Sequence, residues 1–411
     1  MLSKKIKMSK RSMMYNSYRK KCRPYYDKFL FMMIIGANLG EVASIGPLKL
    51  SWIFGISTIF VVFAFYNNDS RLFLINNKNK YTIIFVVFWL FYGLIQLLFV
   101  VGKPYSISFF IILVINSFLI FQIMLQTKNR GDVLYYNRAL IISLAINIII
   151  GLWEVSTHNH LVEIAADENM DYYLIRAHGV FGNVNDYCTF LYLGIVSLFI
   201  CFFYEKQHKL LYIIMVCACI FLLLGVGSRG PIVGVIVFFL ALPVCYFIIK
   251  HINKAVLTVS ICLVILLVTI VFVQYPLEKI VREFSSSGNL ESDLLRVDLI
   301  KGSLQLFLQS YLLGVGPGQS SYQLGTNPHN FFIELLVDYG IVIFIGIAIL
   351  FLRLLFSFRE IKEVKLAALN MAFVLSFSIV SVSSSSANRI RATWIVISIL
   401  SSLVSFEEEV K

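Results

Sequence analysis

The constraint that dominates this chain is a succession of long apolar runs separated by mostly short polar joints. Runs of roughly 17 to 25 predominantly apolar residues are what the hydrocarbon core of a bilayer demands of a spanning helix. They fall at about 29 to 46, 48 to 66, 82 to 101, 106 to 126, 139 to 155, 186 to 204, 210 to 227, 231 to 249, 255 to 274, 330 to 352, 366 to 383 and 391 to 405. The pattern predicts an all-α polytopic membrane protein of about twelve transmembrane helices. The first run is the most interrupted, by Gly36, Gly40 and Glu41.

Orientation follows from where the charges sit. With the N-terminus inside, the cytoplasmic joints and tails hold 25 of the 35 Lys and Arg residues, as the positive-inside rule requires. Ten acidic residues, among them Glu163, Asp171, Asp186, Glu283, Asp293 and Asp298, fall outside. The net charge of +12 is therefore a property of membrane joints and does not point to nucleic acid. The expected organisation is a basic cytoplasmic tail at 1–28, one transmembrane domain over 29–405 with outer loops at 156–185 and 275–328, and a cytoplasmic tail at 406–411. No A-x-A cleavage site follows the leader, so the first span is expected to act as an uncleaved anchor.

Seven cysteines lie mostly inside apolar runs without CxxC spacing, so they read as small buried hydrophobes and not as a disulfide or zinc framework. His158 and His160, spaced i, i+2, would face one way on a strand, but no third ligand has suitable spacing and no metal is expected. A P-loop, a DxD pair and a dinucleotide fingerprint are all missing from the sequence, and no cofactor is expected.

The stretch Arg296 to Gly340 stands out. An amphipathic helix is expected at Ser292–Gln309, with Leu294, Leu295, Ile300, Leu304, Phe307 and Leu308 lying on the membrane surface as a lid. A Gly/Pro/Ser/Asn-rich turn region, Leu313 to Pro328, then delivers His329 and Asn330 to the first turn of the next membrane helix. Unpaired N–H groups at a helix start favour an anion and bias a nearby imidazole toward its neutral form, which can act as a base. The alternative is that His329 only caps the helix. Glu334, one turn beyond Asn330, is either a second base or a helix-packing residue.

Three arginines stand on the outer side: Arg176 opening RAHGVFGNVNDY, Arg229 in the short GSRGP turn, and Arg296 in the long loop. Guanidinium groups match phosphate oxygens bidentately, so together they suit a lipid-linked phosphate or pyrophosphate; singly, each is explained by snorkelling. Asn183 and Asn185 either cap the following helix or hydrogen-bond sugar hydroxyls.

These pieces, in this order, resemble the Wzy/O-antigen ligase superfamily of bacterial surface polysaccharide polymerases and ligases. The likeness lies in R-x-x-G-x-F-x-N-x-N at Arg176 to Asn185, S-R-G at Ser228 to Gly230, and Arg296 followed by LLGVGPG and HNFFIELLVDYG. Val184 stands where the family usually has Pro. The resemblance implies a GT-C-like fold with a large extracytoplasmic loop between helices nine and ten, in the bacterial cytoplasmic membrane. It also implies metal-independent, inverting glycan transfer from undecaprenyl-pyrophosphate-linked oligosaccharides, alongside a flippase and a chain-length regulator. Arg229 and Arg296 would bind the pyrophosphate with Arg176 assisting, and His329 would activate the acceptor hydroxyl. Asn183, Asn185, Asn330 and Glu334 would contact substrate. A ligase acting on another acceptor shares these motifs, while a flippase for the same lipid would be expected to show repeated halves, which the sequence lacks.

Overall fold

A computed structural model describes residues 27–39, 42, 44–45, 48–49, 79–127, 129–162, 176–259, 290–382 and 389–407. These are helical apart from joints and one antiparallel pair of two-residue strands, β1 (Ser44–Ile45) and β2 (Leu48–Lys49). The helices are α1 (27–38), α2 (Lys80–Gln96), α3 (Lys103–Gln126), α4 (Arg130–Thr157), α5 (Val184–Tyr204), α6 (Lys209–Val226) and α7 (Arg229–His251). After a helical segment at 254–259 come α8 (Leu290–Gln309), α9 (Gln319–Leu324), α10 (Phe331–Leu355), α11 (Val364–Val380) and α12 (Arg391–Glu407).

Six of these, α3 to α7 and α10, are long and apolar enough to cross a bilayer, and α2, α11 and α12 are shorter apolar helices. The expected run 48–66 lies almost wholly outside the described residues, and 255–274 is described only as far as 259. The first run needs correction. Its helix stops at residue 38, and residues 44–45 turn back onto 48–49. Gly36 and Gly40 lower helix propensity on either side of that stop.

Small and polar residues bring the helices together, as expected where lipid offers no hydrophobic drive. Asn137 Nδ2 of α4 donates to the Ser197 carbonyl of α5 at 2.9 Å, and Tyr192 of α5 meets Ser376 Oγ of α11 at 2.6 Å. Gly234 of α7 lies against the Val380 side chain and the Ser376 carbonyl of α11, leaving no room for a larger residue. Beneath the start of α10 an aromatic group locks four helices. Trp89 of α2 meets Tyr339 of α10 and Trp394 of α12, each at 5.3 Å, while Phe331 of α10 meets Phe377 of α11 at 5.4 Å.

Helix α10 is broken at Gly340, whose φ of 77° and ψ of 178° are accessible only to glycine. The break releases backbone groups, and the LLGVGPG segment takes them up. Val315 N donates to Val337 O and Gly316 N to Asp338 O, both at 2.8 Å, and Ile341 N donates to Leu312 O at 3.0 Å. Gln96 Nε2 of α2 donates to the carbonyls of Leu313 and Asp338. A Cβ on Gly340 would strike the Leu313 carbonyl, and one on Gly314 would strike Gly340 N, so two glycines cross here in direct backbone contact.

The turn region is thus more ordered than its composition suggested. The buried Asp338 carboxylate accepts from Gly318 N at 2.8 Å and Ser320 N at 2.9 Å, capping α9, which occupies part of the segment expected to be turn throughout. Helix α8 already includes Leu290, two residues before its expected start, and ends at the expected Gln309. Its face is divided: Val297, Leu299 and Phe307 are buried, whereas Leu295, Leu304 and Leu308 are exposed. Only part of the expected apolar stripe therefore remains available to a membrane surface.

Candidate functional site

His329 and Asn330 lie just outside α10, not in its first turn as the spacing suggested. Asn330 is the N-cap, its Oδ1 accepting from Phe332 N and Ile333 N, both at 3.1 Å. The helix start therefore has its cap without His329, which takes the residue before it. His329 has φ 52°, a left-handed conformation that His tolerates better than most residues but still at a cost of about 1 kcal/mol. Strain of this kind persists where the surroundings fix it, and here Phe331 N donates to Ser381 O at the end of α11.

The imidazole of His329 is held below its ordinary value, first by burial and then by the positive charge of Arg296. The charge of Arg296, 33 positions earlier in the chain, thus reaches His329: α8 carries Arg296, and α8 packs on α10. Glu334 is buried on the first turn of α10, with its amide bonded to Asn330 O at 2.9 Å.

The other two arginines both stand at the turn between α6 and α7. A Cβ on Gly227 would come within 3.6 Å of Arg176 Nη2, and Arg229 opens α7 two residues on, exposed. Asn183 is the N-cap of α5, accepting from Asn185 N at 2.7 Å, so capping describes it. Asn185 is different. Its Oδ1 accepts from Ser228 Oγ at 2.8 Å, fastening the first turn of α5 to the residue before Arg229. The start of α5, the start of α7, the end of α11 and the start of α10 therefore gather at one end of the bundle.

Residues the sequence did not single out hold the Arg176 loop. Glu154, one turn before the end of α4, accepts from His178 N at 2.9 Å and Gly179 N at 2.7 Å through Oε2. Asn147, two turns earlier on α4, accepts from Val180 N through Oδ1 at 3.4 Å. The available signal was an acid and an amide inside the apolar run 139–155, costly unless satisfied. His158 and His160 do not lie side by side on a strand. His158 ends α4 with φ 56° and is exposed, whereas His160 stacks on His178 at 4.5 Å.

Fold and site together define a polytopic helical membrane protein with cationic groups and a part-buried imidazole at one end of its bundle. Residues 211–348 match the family described as O-Antigen ligase (Wzy_C), a span that includes Arg229, Arg296, His329, Asn330 and Glu334. The chain is also 25% identical over 361 residues to the teichuronic acid biosynthesis protein TuaE of Bacillus subtilis (strain 168), covering 79% of this chain and 72% of that one. These findings bear out the resemblance to the Wzy/O-antigen ligase superfamily.

Proposed function

We propose that the chain is a polysaccharide polymerase that joins undecaprenyl-pyrophosphate-linked oligosaccharide repeat units at the outer face of the bacterial cytoplasmic membrane. The observation that carries this reading is the part-buried His329 at the start of α10 with the charge of Arg296 acting on it, both inside the matched segment. A hydroxyl of one repeat unit attacks the anomeric carbon of another. The new C–O bond forms as the bond to pyrophosphate breaks, with inversion, and undecaprenyl pyrophosphate departs as the anion. Arg296 and Arg229, with Arg176, stabilise the charge growing on that anion, and His329 accepts the acceptor's proton. The proton then passes to water. No step in this scheme requires a metal ion. Asn183, Asn185 and Asn330 order the helix starts beside these groups, Glu334 lies buried one turn into α10, and a flippase and a chain-length regulator are the expected partners.

Incubating the purified chain with defined undecaprenyl-pyrophosphate repeat units should yield a ladder of products spaced by one repeat. A single added block on a different acceptor would make it a ligase, the second reading the same family match supports. Sugar units moved across vesicles with no new bond would make it a flippase and remove the catalytic reading.

The placement of the site is tested separately. A cysteine introduced at Thr326 should react with an impermeant reagent from outside intact cells, and one at Glu360 should not. The reverse pattern would put His329 and Arg296 in the cytoplasm, away from the proposed substrate.

A further inference from the structure

We propose that Glu154, His160 and His178 form a binding site for a zinc-class divalent cation that fastens the loop bearing Arg176 to the end of α4. The donor atoms of these three residues lie within 4.8 Å of one another, brought together from α4, from the residues just beyond it and from a loop 18 positions further on. No local spacing in the sequence joins them. The inference stands apart from the transfer reaction and concerns how Arg176 is held.

Two atoms carry the argument. Glu154 spends Oε2 on the amides of His178 and Gly179, and its other oxygen, Oε1, is buried without a hydrogen bond. His178 Nδ1 lies 2.7 Å from the Phe181 carbonyl, which can only accept, so Nδ1 carries the hydrogen and the lone pair is on Nε2. That Nε2 is also buried without a hydrogen bond. A backbone carbonyl fixing one ring nitrogen is the usual support of a metal-binding histidine.

His160 completes the set, its Nδ1 3.3 Å from Glu154 Oε1, about the separation of two ligands sharing one zinc ion at roughly 2.0–2.1 Å each. The two imidazoles are stacked with 20° between planes, and parallel rings do not aim their lone pairs at one point. Closing on a cation therefore turns His160, which lies beyond the helix and keeps 12% of its side chain exposed. Two imidazoles and a carboxylate are a zinc donor set, with the fourth position left to water. Glu154 would then hold the loop twice, through backbone amides by Oε2 and through the cation by Oε1.

The test uses the full chain purified in detergent with a streptavidin-binding tag, so that no histidine tag contributes. After zinc loading and dialysis, elemental analysis should find close to one zinc per chain, and Co2+ in its place should give the visible band of a four-coordinate ion. His160→Gln leaves both amide bonds of Glu154 in place and should weaken zinc binding at least a hundredfold, while His158→Gln should bind as the parent does. Zinc uptake equal in the parent and His160→Gln, or lost in His158→Gln, overturns the site. Glu154→Gln adds a second reading where it folds. Because zinc content is read without substrate, its failure is distinct from failure of the transfer reaction.

Discussion

Replacing His329 with Gln should lower the rate of glycan transfer by about a hundredfold or more, the usual contribution of a positioned base. Binding of undecaprenyl pyrophosphate should persist. Because Asn330 caps α10, the substitution removes no cap, and a loss of activity reports on the imidazole itself. His329→Asn is the companion variant, since Asn accommodates the left-handed backbone at this position. The pH profile adds an independent reading. The neutral imidazole is the active form, so activity falls as pH drops through its pKa. Burial and Arg296 both disfavour the cation, which places the midpoint below about 6.5. An active Gln variant that kept the same acid limb would transfer the role of base to Glu334, buried one turn into the helix.

The arginines should show the second large effect. Arg229→Lys and Arg296→Lys keep the charge but lose the planar fork that grips two phosphate oxygens, and each should cost about 3 kcal/mol in transition-state stabilisation, roughly a hundredfold in rate. Both variants should accumulate in the membrane at parent levels, because Arg229 is exposed and Arg296 partly so. In Arg296→Lys the acid limb should stay near its original position, since a positive charge still faces His329. Full activity in both variants would reduce these arginines to snorkelling side chains and remove the pyrophosphate-binding argument.

What the sequence revealed, and what it concealed, divides along range of interaction. Membrane helices are legible because each satisfies its own backbone, so composition over twenty residues suffices, and α3 to α7 and α10 appear where the apolar runs lie. The end of α8 at Gln309 was legible for a similar reason, its apolar positions being local. The interrupted first run failed because hydropathy does not distinguish a helix from a turn back between short strands. The break in α10 was hidden inside FFIELLVDYGIVIF, where a lone glycine between apolar residues resembles many unbroken membrane helices. In the site, Arg229, Arg296 and His329 were visible as ionisable groups in unusual places. Glu154 and Asn147 were not singled out, because their partners, the amides of His178, Gly179 and Val180, are more than twenty residues away.

The crossing of Gly314 over Gly340 sets a rule about chain length. Three backbone bonds, from Val315, Gly316 and Ile341, join the segment after α8 to the opened turn of α10. Adding or removing one residue between Leu312 and Gly316 would shift that register and send every donor to the wrong acceptor. The exposed Gly325 and Thr326, by contrast, lie beyond α9, where no such ladder counts residues. Length variation among chains built on this plan should therefore collect at that joint and before α8. The spacing from Leu312 to Gly318 would be kept even where the side chains change.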